Sequence, residues 1–450
     1  IQNPQVGRRT TMISEKVMSL VGLVLMLLVC FLWSSDRQKI NWRTVAVGLG
    51  LQFLLAVIFL KTTIGRVAFG GCNSVFISIA DAAKEGSSFL FNSLSDGKVP
   101  VSDESGARLY WAETGGIVFF QVLPTVLVFA ALSALLYHWR IMPLFVRSFG
   151  WVMRRCMRVS GAESLCAAAN VVVGQTEAPL AVRPYLNRMT RSELMSVLTT
   201  GMATITGGVL AAYVSMFADV FPDIGGHLMA ASLMSAPAAL LLAKMMVPET
   251  EVPEENVQLS YGEEPATNSI EAVIQGMAEG IQLVLNIAAA LIVFIALVFL
   301  TNALWGFVCQ GITGLTAWDL SRVDTLEELL GWVFTPVAFL LGVPGAECQY
   351  AGSRFAEKLL ISDFVAYSSF ADTLRAEASS EAVHLSDRTR VILSYALCGF
   401  AGIPSAGVIL GGLSILAKEK RPILARLILR AVVAATFASF ITAIIAGLLI

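Results

Sequence analysis

Apolar positions along this chain come in long runs, as in Met18 to Trp33, Val45 to Leu60, Ile117 to Leu136 and Asn286 to Leu300. Such runs approach or reach the roughly 20 residues that a helix needs to cross a hydrocarbon core about 30 Å thick. The pattern predicts helices over 18–33, 44–61, 115–137, 191–218, 225–246, 270–302, 389–416 and 424–450. The expected fold is an all-α polytopic membrane protein with about eight crossings, because lipid-facing backbone must satisfy its own hydrogen bonds. Thr62 to Leu94 is only moderately apolar and carries Arg66, Asp81, Lys84 and Glu85, which suits an interfacial amphipathic helix. Leu144 to Met157 has the same character.

Polar interruptions change this picture. Two of the apolar segments have polar centres, at Gly161 to Asn187 and at Phe334 to Lys358, and are expected to be re-entrant hairpins. Each follows an amphipathic stretch (Leu144 to Arg158; Leu326 to Trp332). Each precedes a small-residue span (Arg191 to Asp219; Thr389 to Ala417) and then a plain apolar span ending at Met246 or Ile450. Corresponding interruptions in two halves point to an internal repeat with the binding site at its interface. Pro248 to Asn268, with three prolines and six glutamates, is a solvated linker between the halves. The chain therefore divides into 1–137, 138–247, 248–268, 269–325 and 326–450.

Charge sets the expected orientation. Arg37, Lys39 and Arg43, then Arg140 to Arg158, then Lys418 to Arg430 mark cytoplasmic loops, and alternation places both termini outside. The first half's unit then starts inside and the second's outside, so the repeat is expected to be inverted. The first run is expected to be a retained span and not a cleaved signal, since no small-residue cleavage site follows it. Composition agrees with lipid as the solvent: 56% hydrophobic residues, 14% charged residues and a mean hydropathy of +0.73. A net charge of −2 with scattered basic residues excludes a nucleic-acid partner. Seven cysteines without a CxxC pair read as small packing residues, and three widely separated histidines argue against a transition-metal site.

The polar centres carry the candidate chemistry. In Asn170-Val-Val-Val-Gly174-Gln175-Thr176-Glu177-Ala-Pro179, glycine and proline bracket three polar residues, and an intramembrane carboxylate such as Glu177 is costly enough to imply a role. Gly342-Val-Pro344-Gly345-Ala346-Glu347 repeats the logic with a second carboxylate. Thr199 to Gly208 and Ala396 to Ser405 are clusters of glycine, hydroxyls and proline whose local unwinding would expose carbonyls to an ion.

With these residues in view, the chain resembles the concentrative nucleoside transporter family. The likeness rests on Gly174-Gln-Thr-Glu-Ala-Pro-Leu180, Gly331-Trp-Val-Phe-Thr-Pro336, Gly342-Val-Pro344 with Glu347, Phe364-Val-Ala-Tyr367 and Ala396-Leu-Cys-Gly-Phe-Ala401. The resemblance implies a homotrimer in a plasma membrane (the inner membrane if bacterial), with eight spans, two opposed hairpins, interfacial helices and a transport domain moving against a scaffold. The scaffold would hold 1–137 and 269–325, and the transport repeats 138–247 and 326–450. It also implies nucleoside import coupled to sodium or, in some members, protons, with no cofactor. Gln175, Thr176 and Glu177 would address the base with Val209 and Phe400, while Glu347 and Ser405 would hold ribose hydroxyls. Sodium would be held by Asn170 and Thr204 side chains and the carbonyls of Val173 and Ile205, an all-oxygen set suited to a hard cation. Gly402 stands where the family has a ribose-reaching asparagine, and Gly345 and Ala346 replace a bulky residue and an amide, so a larger pocket and altered sugar selectivity are expected. An intramembrane enzyme is disfavoured, because neither HExxH nor GxSG occurs. A passive channel would need no pair of gated hairpins.

Overall fold

The computed structural model describes residues 4–96, 98–102, 108–113, 117–175, 177–253, 266–315, 325–378 and 384–450. Thr176 and most of the acidic linker, 254–265, lie outside the described residues. The amino-terminal third comprises α1 (Pro4–Leu32), α2 (Trp42–Lys61), α3 (Thr63–Phe91) and the short α4 (Ser93–Asp96). An antiparallel pair, β1 (Lys98–Ser102) and β2 (Arg108–Glu113), leads on to α5 (Val118–Gln121) and α6 (Leu123–His138).

A first six-element unit follows. It runs α7 (Ile141–Met157), α8 (Gly161–Asn170), a 3₁₀ segment (Ala178–Tyr185), α9 (Arg191–Ala203), α10 (Gly207–Phe217) and α11 (Ile224–Met246). After α12 (Ser269–Leu315), the order recurs as α13 (Leu326–Leu340), α14 (Cys348–Leu360), α15 (Asp363–Ala378), α16 (Asp387–Ala396), α17 (Ile403–Leu416) and α18 (Arg421–Leu449). At 1.5 Å per residue, the 47 residues of α12 reach roughly 70 Å, enough to cross a bilayer once. Each unit contains one hairpin, one broken span and one full span, so a single crossing between them turns the second unit over relative to the first.

Local chemistry explains where these helices begin. Ser160 and Thr190 cap α8 and α9, each accepting from the third residue's N–H, while Glu163 and Glu193 reach back to the cap N–H at 2.6 and 2.8 Å. In the second unit Ser386 caps α16, the counterpart of α9, and Thr325 caps α13, the counterpart of α7. The buried Lys244 ammonium joins the first pair at the end of α11, 2.9 Å from Glu163 and 3.0 Å from both Glu249 and the Ser192 hydroxyl. Hairpin, broken span and full span are thereby tied together at one end.

Burial separates a packed interior from a lipid-compatible surface. The span from Arg191 to Phe217 and helices α11 and α18 are largely buried, whereas α12 exposes Ile292, Phe299 and Leu300. Gly276 and Gly280, a small-xxx-small pair on α12, let its backbone close on Ala130, Ala131 and Leu127 of α6.

Among the described residues eight helices are long and apolar enough to cross a membrane, but the set differs from the sequence expectation at two places. Thr63–Phe91, expected at the interface, is a 29-residue helix of spanning length, and its mean hydropathy of 1.2 is the lowest of the eight. The expected single span 389–416 is two shorter helices separated by 397–402, because Gly399, Gly402 and Pro404 end one helix and start the next.

Candidate binding site at two broken spans

The first break lies between α9 and α10, where Thr204 is extended and Thr206 caps α10 by accepting from the Val209 N–H at 3.2 Å. The tip of the first hairpin docks onto it, with the Gly207 N–H donating to the Val172 carbonyl at 3.1 Å. Gly174 turns the tip with φ +111°, and a Cβ there would lie 2.2 Å from the Thr206 side chain.

Asn170, the last residue of α8, is buried against this break. Its Nδ2 donates to the Thr200 carbonyl at 2.6 Å and to Thr204 Oγ1 at 2.5 Å. Its Oδ1 is buried with no partner among the described residues. The carboxyl-terminal ends of α8 and α9 both point here, and their partial negative charge favours a cation. Val173 and Ile205 follow in the tip and the break, so the four residues expected to hold sodium come together in one place.

Next to them Gln175 is buried with its Oε1 lacking a partner among the described residues, and Gly201 leaves the space it occupies, since a Cβ there would sit 3.4 Å from the Gln175 Cβ. Glu177 is exposed, and Val209 is buried in the first turn of α10.

The second break meets the first directly. Gly399 has φ +98°, and a Cβ there would lie 2.5 Å from the Ala203 carbonyl oxygen at the end of α9. Phe400 and Ser405, both half-buried, belong to this break and the first turn of α17. The break that carries Val209 thus meets the one that carries Phe400 and Ser405, with Gln175 against Gly201 of the first, while Glu347 lies apart.

Glu347 is the exception, and here the structure corrects the sequence expectation. Its carboxylate accepts from the Ser386 N–H at 3.2 Å and the Ser386 hydroxyl at 3.0 Å, at the start of α16. The break at the other end of that ten-residue helix is about 15 Å away at 1.5 Å per residue. Gly345 and Ala346 are exposed there, and nothing lies within 4 Å of a Cβ at Gly345, so they do not enlarge a pocket. Gly342 to Glu347 is the link between α13 and α14. The second hairpin is α14 and α15, turning at Ile361 and Ser362.

That turn brings up residues the sequence reading missed. Asp363 is buried and accepts from the Tyr213 hydroxyl of α10, which joins the second tip to the first unit. Lys358 is buried nearby, its Nζ donating to the carbonyls of Ala396 at 2.8 Å and Cys398 at 3.2 Å and to Ser439 Oγ at 3.4 Å. Gly402 permits the approach, since a Cβ there would be 2.7 Å from the Lys358 carbonyl oxygen. The available signal was Ser362-Asp363, a helix-starting pair in which Ser362 Oγ accepts from the Val365 N–H at 3.2 Å.

Paired hairpins and broken spans joined through backbone ends describe a solute carrier, and the comparisons say which kind. Family profiles described as Na+ dependent nucleoside transporter N-terminus and C-terminus match residues 21–94 and 227–447, and one described as nucleoside recognition matches 119–220. The nucleoside permease NupC of Helicobacter pylori is 36% identical over 440 residues, covering 98% of this chain and 99% of that protein. This chain belongs to the sodium-dependent, concentrative nucleoside transporter family. CNTnw in an inward-facing substrate-bound state superposes with a TM-score of 0.83 at 38% identity, covering 96% of this chain and 98% of that one. A CNTnw variant in an outward-facing state superposes with a TM-score of 0.84 at 38% identity, covering 97% and 98%. As a member of this nucleoside transporter family the chain is a multi-pass membrane transporter and not an enzyme, and its fold is one that alternates between outward- and inward-facing states.

Proposed function

We propose that this chain imports nucleosides in symport with sodium across the plasma membrane, the inner membrane in a bacterium, as a homotrimer. The observation that carries the cation is the unpartnered Asn170 Oδ1 at two converging helix carboxyl-ends, beside Thr204 and the backbone of Val173 and Ile205. A buried oxygen without a donor is costly, and a hard cation supplies what is missing.

Gln175, Thr176 and Glu177 address the base edge, with Val209 and Phe400 as apolar walls. Ser405 and Asp363 take the sugar side, Asp363 in place of Glu347. Sugar selectivity is altered because the space of a side chain at Gly402 is taken by the Lys358 carbonyl. The side-chain contact missing at Gly402 also favours a second reading, a cation-coupled carrier of another small polar solute.

Labelled uridine and adenosine uptake into proteoliposomes separates these readings. Accumulation driven by an inward sodium gradient is expected. Accumulation with a proton gradient alone would reassign the ion, and none under either gradient would overturn nucleoside symport.

A further inference from the structure

The two units match element for element, so each position in the first site has a counterpart in the second. α8 corresponds to α14, α9 to α16, and the break at 204–206 to the break at 397–402. In the first unit the hairpin's first helix ends in Asn170, whose neutral amide reaches the carbonyl of Thr200 and the hydroxyl of Thr204 and leaves an oxygen free. In the second unit the last turn of the corresponding helix carries Lys358, which reaches into the corresponding break.

We propose that Lys358 is a tethered cation: its ammonium fills in the second unit the position that the free coupling ion takes in the first, limiting the carrier to one free cation per cycle. The donor count supports a charged amine. An ammonium has three N–H donors and no acceptor, and three oxygens receive them: the Ala396 and Cys398 carbonyls and Ser439 Oγ. Ser439 Oγ donates to the Cys398 carbonyl at 2.8 Å, which leaves its lone pairs facing the lysine.

The field is that of a cation site as well. The carboxyl-terminal ends of α14 and α16 converge on Lys358 as those of α8 and α9 converge on Asn170, and buried Asp363 lies five residues on at the start of α15. Among the described residues the first break, Thr204 to Thr206, has no built-in positive charge and calls for an ion from solution; the second supplies its own.

The inference rests on the reading that the first break takes sodium, and the experiment keeps the two apart. The full chain in proteoliposomes is assayed for sodium activation of uridine uptake and for charge moved per uridine. Wild type is expected to show a Hill coefficient near one and one charge per uridine; two charges per uridine would overturn the proposal. Lys358→Asn, which copies the first site's amide, is expected to raise the sodium Hill coefficient toward two and to move a second charge. An active variant with the wild-type Hill coefficient and charge ratio would overturn it.

If Lys358→Asn does not transport, its melting temperature in sodium chloride against choline chloride decides. A larger sodium-dependent rise than in wild type supports a second ion in the vacated place. An equal or smaller rise, or a variant that cannot be purified in sodium, counts against it. Asn170→Ala in the same uptake assay tests the first site alone: if the sodium concentration for half-activation is unchanged there, the function reading fails whatever Lys358→Asn does.

Discussion

The two broken spans meet back to back, Gly399 against the Ala203 carbonyl, and are built on one plan with different electrostatics. At the first, two helix carboxyl-ends and an unpartnered amide oxygen leave a concentration of partial negative charge without a partner among the described residues. At the second, the same backbone arrangement is filled by a lysine whose three donors are matched, with Asp363 close by. One fold repeated twice can therefore give one site that responds to an external ion and another that is fixed. Coupling needs the first to change with ion concentration, and keeping the hairpins together is easier if the second does not.

Removing the fixed site's counter-charge gives the largest expected effect. Asp363→Asn removes a buried carboxylate beside Lys358 and weakens the bond to Tyr213, and leaving a buried charged group less compensated costs about 3 kcal/mol. Uptake is expected to fall by at least about 10²-fold, with a lower melting temperature even at saturating sodium. Uptake near wild type would remove Asp363 from both the sugar side and the lysine's surroundings.

The responsive site behaves differently under mutation. Asn170→Ala deletes the free oxygen and the hydrogen bonds to Thr200 and Thr204, where a contact to a charged group is worth about 1.5–3 kcal/mol. Half-activation by sodium is expected to shift upward about 10- to 100-fold while stability in saturating sodium stays close to wild type. If Asn170→Ala and Asp363→Asn both lose stability without a sodium shift, the contrast between the two breaks is wrong.

Much of the first site was legible in the sequence, and the reason is local. Gln175 and Glu177 stand out because they interrupt an apolar segment between a glycine and a proline, with Asn170 four residues before that glycine, and the structure finds the glycine at φ +111°. The second site was obscured because the strongest break in its sequence, Gly342 to Gly345, is an outer connection. The real tip, Ile361 and Ser362, turns with neither glycine nor proline. Lys358 entered the sequence reading only as the end of an apolar segment and Asp363 not at all, and only tertiary packing buries both. The span at 389–416 was placed correctly along the chain, but its division followed from side-chain-free positions whose purpose, close approach to Ala203 and Lys358, is invisible without the fold.

Gly402→Asn probes that close approach. A Cβ 2.7 Å from the Lys358 carbonyl oxygen forces backbone to move, and such overpacking costs about 1–3 kcal/mol. Uptake of uridine is expected to drop about 5- to 100-fold, with a change in the ratio of uridine to deoxyuridine uptake. A changed ratio without loss of rate would mean that the asparagine finds room toward the solute, and the sugar side would be more open than Gly402 suggests.

Glu347→Gln has the smallest expected effect and sharpens the comparison most cheaply. If the second site lay at the Pro344-Gly345 break, this substitution would cost a buried charged contact and uptake would fall 10-fold or more, by about 1.5–3 kcal/mol. The structure places Glu347 on the cap of α16, half-buried, where a glutamine oxygen still accepts from the Ser386 N–H and hydroxyl. Uridine uptake within about 2-fold of wild type is therefore expected, because exchanging one exposed-edge acceptor for another is worth about 0.5 kcal/mol. A large loss of uptake in a variant with unchanged melting temperature would return the sugar-binding carboxylate to Glu347, and would require the link between α13 and α14 to reach the breaks in another state of the transport cycle.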